Sequence, residues 1–264
     1  MRLSGFLLPM LFMAWPAFAS NRGFVETPGG DNKALLVSVG HGLSGLDIDI
    51  KNVKEMVTNP GYGFVTSELH EDQARIADVK KALTQGAQDA RDGSFLFYYT
   101  GHGGVGTLWL QDKSIQVDEI RKALEDGRAN SGPLKRLVLI YDSCHAGSMM
   151  DPMRLGGFGG ITDEAVRNSM VADHLVAEFT KPTRRGAAYW DKLMVIASSR
   201  ADENSLASSV GSIFTIAMKK AYDEVMKTND TVGKFIELSQ KYTQGHHPVA
   251  RLVPASLARE KMVP

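Results

Sequence analysis

Leu137-Val138-Leu139-Ile140-Tyr141 is the most strongly β-patterned run in the chain, and it ends in Asp142-Ser143-Cys144-His145-Ala146-Gly147. A run apolar at every position suits a strand covered on both faces, as in a parallel sheet between helical layers. A second run of this kind, Ser94 to Tyr99, ends in Gly101-His102-Gly103-Gly104. Open α/β sheets place their reactive groups at the carboxyl ends of strands, so a cysteine and a histidine in these positions meet if the two strands are neighbours.

The rest of the chain repeats the alternation that marks βαβ units. Toward the N-terminus, a strand at Ala34 to Val39 is followed by a helix from about Asp47 to Val57, whose Ile50, Val53, Met56 and Val57 share a face. Phe64 to Leu69 is a weaker strand. A helix from Asp72 to about Ala90 follows, with Asp72 as its expected N-cap and Ile76, Val79, Ala82 and Leu83 on one face. Between the two motifs lie a small hairpin, Leu108 to Leu110 with Ser114 to Gln116, and a helix Asp118 to Glu125. Beyond them, residues 148 to 189 read as a long mobile connection containing Gly156-Gly157-Phe158-Gly159-Gly160. A strand Leu193 to Ala197, helices Ile213 to Met226 and Thr231 to Tyr242, and a short strand Val249 to Val253 complete the pattern before an unstructured tail. The expected fold class is α/β: one domain, residues 20 to 264, with a mainly parallel sheet flanked by helices on both faces.

Acidic and basic residues balance at 30 each, so no net basic field points to nucleic acid, and a peptide, protein or small molecule is the expected partner. Residues 1 to 19 read as an export signal: Arg2, an apolar stretch from Phe6 to Trp15, then Ala17-Phe18-Ala19 at the cleavage position. The apolar stretch is shorter than the ~20 residues that span a bilayer, and no second one follows, so the mature form is expected without a membrane span, periplasmic or secreted. Cys144 is the chain's single cysteine. It stays a free thiol in an oxidising compartment, an oxidation liability that favours a chemical role.

A thiol attacks a peptide carbonyl as thiolate, so it needs a base and backbone N–H donors for the oxyanion. His102 supplies the base, and the glycines around it let the backbone turn and approach a substrate. The N–H groups of Gly103 and Cys144 are the natural oxyanion donors. His41, His70, His174, His246 and His247 show no metal-ligand spacing, so no metal site is expected, and His145 reads as structural because adjacent side chains diverge.

Tyr98-Tyr99-Thr100-Gly101-His102-Gly103-Gly104 resembles the YSGHG segment of metacaspases, and Asp142-Ser143-Cys144-His145-Ala146-Gly147 resembles their DSCHSG segment. The histidine precedes the cysteine by 42 positions, close to the caspase spacing of about 50. Leu43-Ser44-Gly45-Leu46-Asp47-Ile48-Asp49 is similar to the family's LxGCxND stretch, with Leu46 and Ile48 in place of Cys and Asn. Ala197 to Glu203, with Gly211-Ser212-Ile213-Phe214-Thr215, is similar to the later specificity region. The likeness covers about residues 34 to 220.

That resemblance implies the caspase-hemoglobinase fold and a cysteine endopeptidase with Cys144 as nucleophile, His102 as acid/base, and Gly103 and Cys144 in the oxyanion hole. It further implies an acidic pocket of Asp49 and Asp142, with Asp202 and Glu203 as lesser additions, which favours cleavage after Arg or Lys. Calcium, used by some metacaspases, enters only as a candidate activator. Self-cutting is expected at Arg154, Arg167, Lys181, Arg184 or Arg185 in the connection after Cys144. The alternatives are a caspase-like or clostripain-like peptidase of other specificity, or a catalytically silent binding module.

Overall fold

The structure, a computed structural model, describes residues 23–25, 31–104, 106–144, 189–200 and 204–262. The export-signal reading of residues 1–19, most of the 148–189 connection with its basic residues, His145, His174, Asp202 and Glu203 lie outside these.

A six-stranded sheet runs through the centre. Its strands are β1 (Lys33–Val39), β2 (Val65–His70), β3 (Ser94–Gly101), β7 (Arg136–Asp142), β8 (Leu193–Ala197) and β11 (Val249–Val253), in the spatial order β11-β8-β7-β3-β1-β2. All neighbours are parallel except β11, which runs antiparallel to β8. The sheet is thus mixed but mainly parallel, as expected.

Helices cover both faces, and the two-residue period of the strands decides which side chain meets which layer. Leu35, Val37, Phe95, Phe97, Leu137, Leu139 and Val195 pack with α2 (Ile76–Asp89) and α3 (Val117–Arg128). Their alternates Leu36, Leu96, Tyr98, Val138, Ile140 and Ile196 pack on the other face with α1 (Leu46–Val57), α4 (Ile213–Thr228) and α5 (Val232–Tyr242). Each fully buried side chain of this size stabilises by roughly 1.5–3 kcal/mol before chain entropy is subtracted. β3 and β7 are buried at every position, which is why their sequences show no alternation.

Three local expectations are corrected. Asp72 does not cap α2: it sits in a short 3-10 turn at residues 71–73, and the helix starts at Ile76, whose N–H donates to Asp112 Oδ1 at 2.9 Å. The hairpin is a three-stranded sheet of β4 (Gly103–Gly104), β5 (Thr107–Trp109) and β6 (Ser114–Gln116). The tail is structured as far as Met262: residues 255–259 form a 3-10 helix, Met262 is buried, and Glu260 pairs with fully buried Arg136 and with Lys192 at 2.9 Å. A two-stranded ribbon of β9 (Ala207–Ser208) and β10 (Gly211–Ser212) has no counterpart in the sequence reading. No helix among the described residues is long and apolar enough to cross a membrane.

Candidate active site

β3 and β7 are neighbours in register, with Thr100 opposite Asp142, so the segments that follow them leave the sheet side by side. The histidine segment turns at Gly101, where φ is +150° and a methyl group would lie 2.3 Å from the Val39 carbonyl oxygen. His102 is then held by its backbone. Its carbonyl accepts from Trp109 N–H at 3.0 Å and lies 2.7 Å from the Tyr99 hydroxyl, which also reaches the Trp109 carbonyl at 2.6 Å. The His102 ring is half-buried, with centroids 5.6 Å from Trp109 and 6.5 Å from exposed His41.

The cysteine segment is pinned from β8. Ser143 N–H donates to Ser198 Oγ at 3.1 Å, while the hydroxyls of Ser198 and Ser199 donate to the Ser143 carbonyl at 3.1 and 3.2 Å. Cys144 follows, half-buried, its Sγ 3.6 Å from the carbonyl oxygen of Ser205. The two segments touch at Gly103. A methyl group there would stand 2.6 Å from Ser143 Oγ and 2.7 Å from the Cys144 carbonyl oxygen, closer than real side-chain carbons approach. The glycine after the histidine is therefore required by packing against the cysteine turn, whatever its N–H does in chemistry.

One cavity is lined by His102 and Cys144 together with Thr100, Asp142, Ser205 and Ser212, and by Leu43 and Leu46. The two carboxylates singled out in the sequence, Asp49 and Asp142, belong to this region, and both are buried. Asp49 Oδ1 accepts from the Ser212 N–H at 2.8 Å and Oδ2 from the Thr100 hydroxyl at 3.2 Å. Asp142 Oδ2 accepts from Thr215 Oγ1 at 2.6 Å and Oδ1 from Ser205 Oγ at 3.3 Å. Because Thr215 gives its proton to Asp142, the buried Tyr98 hydroxyl, 2.8 Å from Thr215 Oγ1, donates in turn to that oxygen. Gly211 closes the arrangement: its φ is +107°, and a methyl group there would be 2.7 Å from Asp49 Oδ1.

Hydroxyls and one amide bond these carboxylates; none of those donors carries charge. Burial pushes the Asp49 carboxyl up to about 7, with the neighbouring charge of Asp142 adding to the rise. Burial also raises Asp142, against the hydrogen bonds, first among them that from Thr215, that favour its anion. A cation entering the cavity would stabilise both anions.

Asp47, on the same helix as Asp49, is exposed, while Asp49 turns inward to Ser212 and Thr100. Among the described residues no group of three or more His, Cys, Asp or Glu side chains is placed to hold a metal ion. Sequence reasoning picked out the two carboxylates but missed Thr100, Ser205 and Thr215 as the residues that bond them. Single hydroxyls scattered over 115 positions carry no pattern of their own, and only the likeness around Gly211 to Thr215 pointed to that end of the cavity.

Comparison with known proteins adds the following. The caspase domain family model matches residues 31–251. Metacaspase-1 of Debaryomyces hansenii is 29% identical over 151 residues, 46% of this chain and 34% of that protein. Metacaspase-1A of Aspergillus niger is 26% identical over 230 residues, covering 75% of this chain and 53% of its own. The chain thus spans about a third to a half of the length of these two relatives. Among solved structures, a protein from Geobacter sulfurreducens matches with TM-score 0.60 at 18% identity, over 89% of this chain and 99% of that one. Caspase-1 from Spodoptera frugiperda matches with TM-score 0.54 at 14% identity, over 85% and 89%. At such identities the structural likeness concerns the fold.

Proposed function

The chain belongs to the caspase domain family, and from that premise we propose that it is a cysteine endopeptidase that cuts after arginine or lysine, with Cys144 as nucleophile and His102 as acid/base. The observation that carries the specificity is the pair of buried carboxylates, Asp49 and Asp142, bonded among the described residues by uncharged donors beside a cavity that His102 and Cys144 line. An apolar or anionic side chain would leave them uncompensated in a region where burial already opposes their charge. A guanidinium or ammonium group stabilises them in the ionised form.

In this reading His102 takes the thiol proton, which requires Cys144 to leave the Ser205 carbonyl. The thiolate forms a bond to the scissile carbonyl carbon, and the carbonyl π pair moves to oxygen, held by the N–H groups of Gly103 and Cys144. When the tetrahedral species collapses, the amine leaves with the proton from His102, giving a thioester. His102 then deprotonates a water that attacks the thioester and returns the proton to sulfur as the acid departs. Calcium has no step in this scheme.

The test is hydrolysis of fluorogenic peptides ending in Arg, Lys or Asp by the protein and by Cys144→Ala, with and without calcium. Cleavage after Arg or Lys that disappears in the variant is expected. Cleavage after Asp alone would overturn the pocket assignment, and folded protein with no cleavage would favour a silent binding module.

A further inference from the structure

Ser205, between Asn204 and Leu206, forms part of the wall of the cavity and touches both halves of the chemistry. Its carbonyl oxygen lies 3.6 Å from Cys144 Sγ, and its hydroxyl donates to Asp142 Oδ1 at 3.3 Å. The segment has little to hold it by its own packing: Leu206 is 53% exposed, and β9 beyond it has two exposed residues. An imidazole 40 positions further along does so. His246 is buried, with Nε2 3.2 Å from the Leu206 N–H nitrogen and Nδ1 2.8 Å from the Asn204 carbonyl oxygen. A backbone N–H only donates and a carbonyl only accepts, so these contacts assign the ring proton to Nδ1 and a bare lone pair to Nε2. The two bonds grip the backbone on either side of Ser205.

The ring is in turn anchored away from the cavity. Gly245, at φ +78°, makes the turn from α5 toward β11, and Gln240 Nε2 donates to the Pro248 carbonyl at 3.0 Å. β11 then pairs with β8, Val249 opposite Ala197, in the same sheet that carries His102 and Cys144. We propose that His246 is a positioning residue of the active site, clamping Ser205 so that its carbonyl faces the Cys144 thiol and its hydroxyl faces Asp142. Its kinetic consequence rests on the peptidase reading above; its effect on the thiol does not.

Cys144 is the only cysteine, so alkylation by iodoacetamide reports on that thiol alone. Releasing the thiol from the Ser205 carbonyl in His246→Ala raises the alkylation rate about fivefold, the equivalent of one modest hydrogen bond. KM for an Arg peptide rises by a similar factor while kcat stays within about twofold, because the wall shapes binding rather than proton transfer. His246→Gln, whose amide both donates and accepts, restores both parameters toward the unsubstituted protein. Alkylation and KM unchanged in folded His246→Ala would overturn the proposal. Should that variant not fold, nitrogen-15 NMR of the unsubstituted protein decides: an Nδ1–H tautomer with the Leu206 amide coupled to Nε2 supports the clamp, and a proton on Nε2 with bare Nδ1 refutes it. If the unsubstituted protein cleaves nothing, the peptidase reading fails, and alkylation with the tautomer still decides this one.

Discussion

The two sides of the cavity are built in opposite ways. On one side His102 and Cys144 ride on β3 and β7, strands paired on both edges and buried at every residue. On the other, Asn204 to Leu206 and the β9–β10 ribbon are short, partly exposed and tied by two hydrogen bonds to His246 and one each to Asp49 and Asp142. On the proposed reading, the reactive atoms belong to the rigid side and the shape of the pocket to the slender one. Bond-making chemistry tolerates little displacement, whereas a pocket wall can be remade from different residues so long as its hydroxyls reach their carboxylates.

That division sorts substitutions by side. The largest effect is expected from the rigid one: Cys144→Ala or His102→Ala lowers kcat/KM by about 10³-fold or more at nearly unchanged folding stability, measured by peptide hydrolysis beside thermal melting. Retained activity in either variant would break the assignment of chemistry to the strand ends.

The carboxylates connect the two sides. On the proposed specificity, Asp142→Asn or Asp49→Asn is expected to cost about 100-fold in kcat/KM for Arg peptides, most of it in KM, because each removes a charge that would attract the substrate's cation. Asp49 also gives a signature in pH. Its carboxyl is raised from 3.8 to about 7 on folding, so its contribution to stability is complete below 3.8 and is lost as pH rises through about 7. Asp49→Asn should flatten that decline in a series of denaturant melts. In the same range the KM for Arg peptides should rise as pH falls below about 7, where the carboxyl takes up a proton and stops attracting the cation.

Gly103→Ala tests how tightly the motifs interlock. Its methyl group would meet Ser143 Oγ at 2.6 Å and the Cys144 carbonyl oxygen at 2.7 Å, so one segment must shift. Loss of about 1–3 kcal/mol in chemical denaturation is expected, with a fall of about tenfold in kcat, as for other overpacked sites beside a reacting group. Ser205→Ala should be the mildest: its hydroxyl reaches Asp142 at a long 3.3 Å, and about a twofold rise in KM with unchanged kcat is expected.

The same division governs what could be read in the sequence. β3 and β7 announce themselves as continuous apolar runs, and the His102 and Cys144 motifs follow them directly, so the sheet's centre and the meeting of those two motifs at one cavity were legible. β2 reads as a weaker strand because it is an edge strand: Val65 is 60% exposed. What escaped were contacts set by the tertiary arrangement. The N–H at the start of α2 is met by Asp112, 36 positions ahead of Ile76, rather than by nearby Asp72. The polar tail stays ordered because Glu260 answers Arg136, a charge buried inside the sheet layer. His246, passed over because it lacks metal spacing, does its work through two backbone atoms, and no residue pattern encodes such a partner.

The placement of β3 and β7 at the sheet's centre has a further consequence, for how the molecule would come apart. Amides in strands paired on both edges exchange with solvent only through openings close to global unfolding, while a ribbon of two-residue strands and a loop held at a few points open at far lower free energy. Warmed gradually, such a protein would lose its discrimination between side chains before it lost its nucleophile, and the first symptom of damage would be promiscuity rather than silence.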